Sequence, residues 1–175
     1  MTTIALTGFM ATGKSTVGRI LAERLGKTFI DLDERIEQRM NMSVAEIFAR
    51  YGERAFRQLE REELVTALAE DAIVATGGGA IVDPENLARM RAAGPVVCLT
   101  ASVEAILSRT AADTSRPLLQ RADKREQIEA LLAARAAAYA QADICIDTTS
   151  RSPEEVAEAI LAYLGTVLDP KELSV

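Results

Sequence analysis

An α/β fold, with five short parallel strands in one sheet and helices on both faces, is predicted by three features of the sequence. Brief apolar runs at Ile4–Leu6, Thr28–Ile30, Ala72–Ala75, Val96–Leu99 and Asp143–Asp147 alternate with longer stretches whose apolar residues recur at helical spacing. Strands separated by single helical stretches join as parallel neighbours through right-handed crossovers, which puts helices on both faces of the sheet. The third feature is Gly8-Phe9-Met10-Ala11-Thr12-Gly13-Lys14-Ser15, a G-x-x-x-x-G-K-S loop between the first apolar run and the first helical stretch. Strand, glycine loop and helix in that order aim backbone N–H groups and a positive helix end at one point, a cradle for polyphosphate.

Each element has its own signal. After the loop, Val17, Ile20 and Leu21 lie on one side of a helix that Gly26 stops. Lys14 would lie along β- and γ-phosphates, and the Ser15 hydroxyl would face Mg²⁺, a cation that takes few protein oxygens. Ala11 stands where a third glycine is common, which narrows the backbone's options without closing the cradle. The second strand runs into Asp31-Leu32-Asp33. Alternation along it would put both carboxylates on one side at the strand's carboxyl end, where open α/β sheets bind ligands. Asp33 as a helix N-cap is the other reading, since Ile36 and Met40 continue helically.

Ser43 to Tyr51 reads as a short helix, which Gly52 separates from a longer one through Phe56, Leu59, Leu64 and Leu68. Arg57 and Glu60 in that helix are three apart, the spacing of an ordinary surface ion pair. After the third strand come Thr76-Gly77-Gly78-Gly79. Three adjacent glycines cost conformational entropy, and a ligand pressed against backbone accounts for them better than a plain turn does. Asp83-Pro84 opens a helix to Ala93, Gly94-Pro95 turns the chain, and Ser102 caps a helix through Ile106 and Leu107.

From Thr110 to Ala122 the periodicity fails, while Arg116, Pro117 and Arg121 crowd into a polar stretch that reads as a lid. Asp123 opens an alanine-rich helix striped by Ile128, Leu131, Leu132 and Tyr139, and Arg135 falls on the same stripe. An inward guanidinium needs an anionic partner; snorkelling to solvent is the alternative. Pro153 to Leu164 makes a closing helix, and residues from 165 to 175 read as a loose tail.

With 175 residues, 49% of them hydrophobic, and no internal repeat, the chain suits one globular domain with its core between 4 and 164. No run long enough to span a membrane and no secretory leader are seen, so a cytoplasmic protein is expected. The net charge of −6 disfavours a nucleic-acid or anionic-membrane partner. There is no histidine, which removes the usual imidazole base and the common zinc constellations and leaves carboxylates, Lys and Arg for any chemistry. Cys98 and Cys145 both lie in strand-like runs and read as buried thiols.

Taken together, the phosphate-binding loop, Phe29-Ile30-Asp31-Leu32-Asp33, Phe56-Arg57-x-x-Glu60, Thr76-Gly77-Gly78-Gly79, Arg116-Pro117-Leu118-Leu119 and Arg135-x-x-x-Tyr139 resemble, in order and spacing, the shikimate kinases. The match runs from about Ile4 to Leu164. It implies a monomeric, cytoplasmic P-loop kinase of the nucleoside-monophosphate-kinase-like fold, with a lid, that transfers the γ-phosphate of Mg-ATP to the 3-hydroxyl of shikimate in aromatic amino-acid biosynthesis. By position, the resemblance implies that Ala11, Thr12, Gly13, Lys14, Ser15 and Thr16 hold the ATP phosphates and that Arg116 reaches them from the lid. It implies Mg²⁺ on Ser15 and, through water, Asp31. It places shikimate against Asp33, Arg57, Gly78, Gly79 and Arg135, with Asp33, Lys14 and Arg116 as catalytic groups and adenine near Arg109 and the Pro153 turn. Ala137 departs from a proline often found there. A small acid with several hydroxyls calls independently for guanidinium forks and a carboxylate, which Arg57, Arg135 and Asp33 supply. A regulatory P-loop NTPase would need an N-K-x-D motif or an acidic residue ending the third strand, and the sequence has neither. A gluconate or nucleotide kinase would share sheet and loop.

Overall fold

The computed structural model describes residues 2–111 and 123–169. In chain order the elements are β1 (Ile4–Gly8), α1 (Lys14–Leu25), β2 (Thr28–Asp31), α2 (Leu32–Met40), α3 (Val44–Leu68), β3 (Ala72–Ala75), α4 (Pro84–Ala93), β4 (Val96–Thr100), α5 (Val103–Arg109), α6 (Lys124–Tyr139), β5 (Ile144–Asp147) and α7 (Pro153–Val167), with a 3₁₀ turn at Ala80–Val82. The strands form one five-stranded sheet in the order β2-β3-β1-β4-β5. All its pairings are parallel, with Leu6 opposite Ala75 and Thr7 opposite Cys98.

The predicted α/β class is therefore the observed one, and its two faces bury separate cores. On one face α1 and α7 cover Ile4, Leu6, Ile73, Val97 and Leu99. On the other, α3, α4, α5 and α6 cover Ala5, Val74, Val96 and Cys98. The central strands β1, β3 and β4 are thus buried except at Thr100 and largely apolar, as two-faced burial requires. A third cluster, Ile36, Ile47 and Phe56, packs α2 against both halves of α3.

Local signals place most boundaries. Gly26 ends α1 in the left-handed conformation, and Ser102 caps α5 through Ala105 N. Ser43 and Ser152 each form a reciprocal capping box, with Glu46 and Glu155. Gly52, at φ 80° and ψ 171°, breaks α3 where the sequence separates two helices.

Two boundary expectations and one burial expectation are corrected. The tail reading fails at residues 165–167, because α7 continues to Val167; residues 170–175 lie outside the described part. Thr110 does not begin a lid: it is buried and its hydroxyl donates to Ile106 O at 2.7 Å, closing the end of α5. The rest of that segment, with Arg116, Pro117 and Arg121, lies outside the described residues. Cys98 is buried as expected, but its register partner Cys145, on the edge strand β5, is exposed.

The chain leaves β1 towards β2 and leaves β3 towards β4, with α1 and α4 on opposite faces. Connections that part in this way open a crevice at the strands' carboxyl ends. The loop 8–15 and the glycines 77–79 occupy that crevice.

Candidate active site

The loop after β1 is shaped by its own backbone. Gly8, Ala11 and Gly13 take φ of 128°, 58° and 93°. At Gly8 no other residue fits, since a Cβ would lie 2.1 Å from Leu99 O on β4. Ala11 adopts the left-handed region in spite of its side chain, so the missing third glycine leaves the cradle intact at a cost of about 1 kcal/mol. Thr12 Oγ1 donates to Phe9 O, and Lys14 Nζ donates to Gly8 O and Phe9 O, each at 2.8 Å. A cavity of about 210 Å³ opens beside the loop, lined by Ala11, Gly13, Lys14, Ser15 and Thr16 on one side and by Asp31, Asp33 and residues 75–78 on the other.

The two aspartates meet there by a route that strand alternation does not describe. β2 ends at Asp31, and α2 begins at Leu32, so Asp33 sits in the first helical turn. Asp31 rather than Asp33 is the N-cap. Its Oδ1 accepts from the amides of Asp33 at 3.0 Å and Glu34 at 3.4 Å, while its Oδ2 accepts from Ser15 Oγ at 2.6 Å. Ser15 and Asp31 thus present two hard oxygens side by side, which fits Mg²⁺ held by one or two protein groups. Among the described residues no three His, Cys, Asp or Glu side chains gather into a fuller metal cage.

A larger cleft of about 630 Å³ shares Ser15, Asp31, Asp33 and Gly77–Gly78 with the first cavity. Its far wall carries Arg57, Glu60 and Arg135, with Phe48, Phe56 and Leu131 between them. The surface reading of Arg57 and Glu60 does not hold. Glu60 is 1% exposed, and its Oε2 accepts from Arg57 at 2.7 Å. Burial, helped by the charge of Asp33, raises the Glu60 carboxyl above its ordinary range against the opposing pull of Arg57 and Arg135. Burial alone would lower the Arg57 pKa; Glu60 and Glu53 outweigh it and hold the group above its ordinary value. Glu53, on the exposed side, approaches the Arg57 fork at 3.4 Å.

The three glycines fit this arrangement one by one. A Cβ on Gly77 would lie 2.5 Å from Glu60 Oε1 and 3.2 Å from Asp33 Oδ1. On Gly78 it would lie 3.3 Å from an Arg135 nitrogen, and on Gly79 2.5 Å from one of Arg57. The backbone 77–79 is therefore the floor on which the charged side chains lie, whereas the triplet alone suggested only a ligand against backbone. Tyr139 Oη donates to Gly78 O at 2.7 Å, which fastens the end of α6 to that floor. Burial raises the Tyr139 pKa, with Arg135 and Arg57 opposing.

Arg135 points into the cleft, its guanidinium carbon 5.8 Å from the Phe9 ring centroid. Among the described residues no carboxylate lies within ion-pair distance of Arg135, although its charge acts on the Glu60 carboxyl. Arg109 donates to Ala11 O at 3.1 Å and to Thr148 O at 2.6 Å, linking the phosphate loop to the turn before α7. Arg116 lies outside the described residues; of the other expected site residues, all but Thr12, Arg109 and Pro153 line one or other of the two cavities. Sequence spacing missed Glu60 as a buried site group, and Phe48 and Glu53 as wall residues. The Phe48–Phe56 spacing across the Gly52 break, which brings the rings to 4.7 Å, gives no helical periodicity by which to find them.

Comparison with known proteins agrees with this geometry. The family model described as shikimate kinase matches residues 10–165. A curated shikimate kinase from Geobacter sulfurreducens is 50% identical over 162 residues, 92% of this chain and 90% of its own length. Among solved structures, the shikimate kinase of Acinetobacter baumannii in complex with shikimate is 38% identical with a TM-score of 0.90, covering 97% of this chain and 96% of that one. That of Aquifex aeolicus is 38% identical with a TM-score of 0.82, covering 95% and 98%. A phosphate-binding loop facing two guanidiniums across a shared aspartate, on a chain matched over nearly its whole length, shows that the chain belongs to the shikimate kinase family.

Proposed function

We infer that this chain transfers the γ-phosphate of ATP to the 3-hydroxyl of shikimate, giving shikimate 3-phosphate and ADP. The observation that carries the reading is the shared wall. Asp33 stands between the cavity beside the phosphate loop and a cleft that offers two guanidiniums, one of them, Arg135, with no ion-paired carboxylate among the described residues. Arg57 and Arg135 hold the shikimate carboxylate, Gly78 and Gly79 let it approach the backbone, and Asp33 accepts the hydroxyl proton as that oxygen attacks phosphorus. The bond to ADP breaks in the same displacement, and the Asp33 proton then passes to solvent. Ala11 to Thr16 cradle the phosphates with their amides and hydroxyls. Lys14 Nζ exchanges the carbonyls of Gly8 and Phe9 for phosphate oxygens. Ser15 and Asp31 would hold Mg²⁺, which would supply charge neutralisation at the phosphates. Arg116 adds a further positive charge, and adenine lies against Arg109 near the Pro153 turn.

The chain is read as a monomer of a single domain, with its lid in the segment from 111 to 122. No described helix is long and apolar enough to cross a membrane. The acidic balance supports small-molecule partners without nucleic acid, and ATP as co-substrate supports a cytoplasmic enzyme.

The test is ATP consumption with shikimate, gluconate and the nucleoside monophosphates as acceptors. Shikimate alone should be turned over. Asp33→Asn should keep ATP binding and lose about 100-fold or more in turnover, because an amide cannot take the proton. Turnover of gluconate or a nucleotide in place of shikimate would refute the assignment, and near-normal turnover by Asp33→Asn would remove the base.

A further inference from the structure

Tyr139 holds a position that a phenylalanine could fill for packing alone. It ends α6, is 6% exposed and belongs to the core on the face of the sheet that α3, α4, α5 and α6 cover. A buried phenol oxygen nevertheless needs hydrogen-bond partners. Tyr139 Oη donates to Gly78 O at 2.7 Å, and one turn earlier on the same helix face stands Arg135, a nitrogen of which would lie 3.3 Å from a Cβ on Gly78. Hydroxyl, glycine carbonyl and guanidinium therefore meet at one residue of the floor.

Burial raises the Tyr139 pKa, and the charge of Arg135, together with a hydrogen bond from its guanidinium, works against that rise. The phenol thus donates to the floor and accepts from Arg135. A hydroxyl that donates to a carbonyl is polarised, which makes its oxygen a better acceptor for a cation. The two guanidiniums of the cleft are accordingly held in different ways. Arg57 lies 2.7 Å from Glu60 and 3.4 Å from Glu53, whereas among the described residues Arg135 has no carboxylate within ion-pair distance. A neutral hydroxyl orients a guanidinium without offsetting its charge.

We propose that Tyr139 is a positioning residue for the acceptor's carboxylate: its hydroxyl, fastened to Gly78 O, fixes the fork of Arg135 and leaves the charge of that fork to the acceptor. This role rests on the reading that Arg135 holds the shikimate carboxylate. It concerns binding rather than the chemical step, since Tyr139 lines neither cavity.

Tyr139→Phe keeps the ring in the core and removes one oxygen. In a coupled assay of ADP release it should raise the KM for shikimate about 10-fold, the low end for a hydrogen bond to a charged group, with kcat and the KM for ATP within about twofold of wild type. Ile128→Val, which trims a buried residue elsewhere on α6, controls for loss of stability and should leave all three constants within about twofold. Arg135→Lys keeps the positive charge but has no planar fork to orient. In that background Tyr139→Phe should change the shikimate KM by less than about threefold, so that the two substitutions are not additive. A further readout keeps the hydroxyl. With 3-fluorotyrosine at Tyr51, Tyr139 and Tyr163, and the other two signals assigned through Tyr51→Phe and Tyr163→Phe, the fluorine resonance of Tyr139 should move when shikimate is added without nucleotide.

An unchanged shikimate KM in Tyr139→Phe, an equal rise in Ile128→Val, or the full 10-fold effect in the Arg135→Lys background would each overturn the proposal. So would a fluorine resonance unmoved by saturating shikimate. Failure of the wild-type chain to turn over shikimate at all would instead refute the functional reading on which the role of Tyr139 rests.

Discussion

Gly79→Ala gives a sharp test of how the acceptor site is built. Gly79 has φ −100° and ψ −9°, a conformation open to any residue, so alanine adds no backbone strain. What it adds is a methyl group 2.5 Å from one Arg57 nitrogen and 2.8 Å from the guanidinium carbon. To reach an ordinary contact of 3.4 Å the guanidinium must retreat by about 0.9 Å. The end of a long side chain can do this at little cost to the fold, but not without leaving its place over the 77–79 floor. A misplacement of about 1 Å in a charged clamp costs about 100-fold in transition-state binding, equivalent to about 2.7 kcal/mol. The expected result is therefore a loss of about 100-fold in kcat/KM for shikimate, with the KM for ATP within about twofold and the unfolding midpoint within a few degrees of wild type. A coupled assay of ADP release with each substrate varied in turn, alongside thermal melts, measures all three. An unchanged kcat/KM for shikimate would mean that Arg57 does not hold the acceptor in the position seen here. An ATP KM raised as much as that of shikimate would mean that the 77–79 floor serves the nucleotide.

Other consequences follow from single positions. Gly165 lies within α7 with open space where a Cβ would stand, so Gly165→Ala should stabilise the chain by about 0.5–1 kcal/mol; Gly52 has the same open space but φ 80°, so Gly52→Ala should destabilise by about 1–2 kcal/mol, both read from urea melts. The Glu60 carboxyl is raised above its ordinary 4.5, so its contribution to stability is complete below that pH and is lost as pH rises through the folded value. The stability difference between wild type and Glu60→Gln should accordingly fall as pH rises from about 4.5, and a difference that is flat or grows with pH would contradict the burial of this group. Burial, with the neighbouring Cys145 thiol, pushes Cys98 up to about 12, whereas Cys145 is exposed. A chromogenic disulfide at pH 8 should therefore titrate one thiol per chain quickly, and Cys145→Ser should abolish that phase.

The sheet, its helices and the phosphate-binding loop were legible in the sequence because each depends on neighbours in the chain. Apolar runs, cap residues such as Ser43, Ser102 and Ser152, and the G-x-x-x-x-G-K-S spacing express local backbone requirements, and these the structure satisfies. Most of the expected site residues also line the two cavities; Thr12, Arg109 and Pro153 do not, and Arg116 lies outside the described part. What local spacing could not express was the environment of each group. Arg57 and Glu60 at i, i+3 look the same on a solvent-facing helix as against the glycine floor, and only the packing of α3 on that floor buries Glu60 to 1% exposure. Alternation assigned the two aspartates to one strand face, but the change from strand to helix at Leu32 made Asp31 the cap and turned Asp33 towards the acceptor cleft. Cys98 and Cys145 have similar apolar neighbours in sequence, yet they differ in exposure because β4 is an interior strand and β5 an edge. Periodicity records how a residue stands towards its own helix or strand. Desolvation, by contrast, depends on which other elements come to lie against it, and that was decided by the tertiary structure alone.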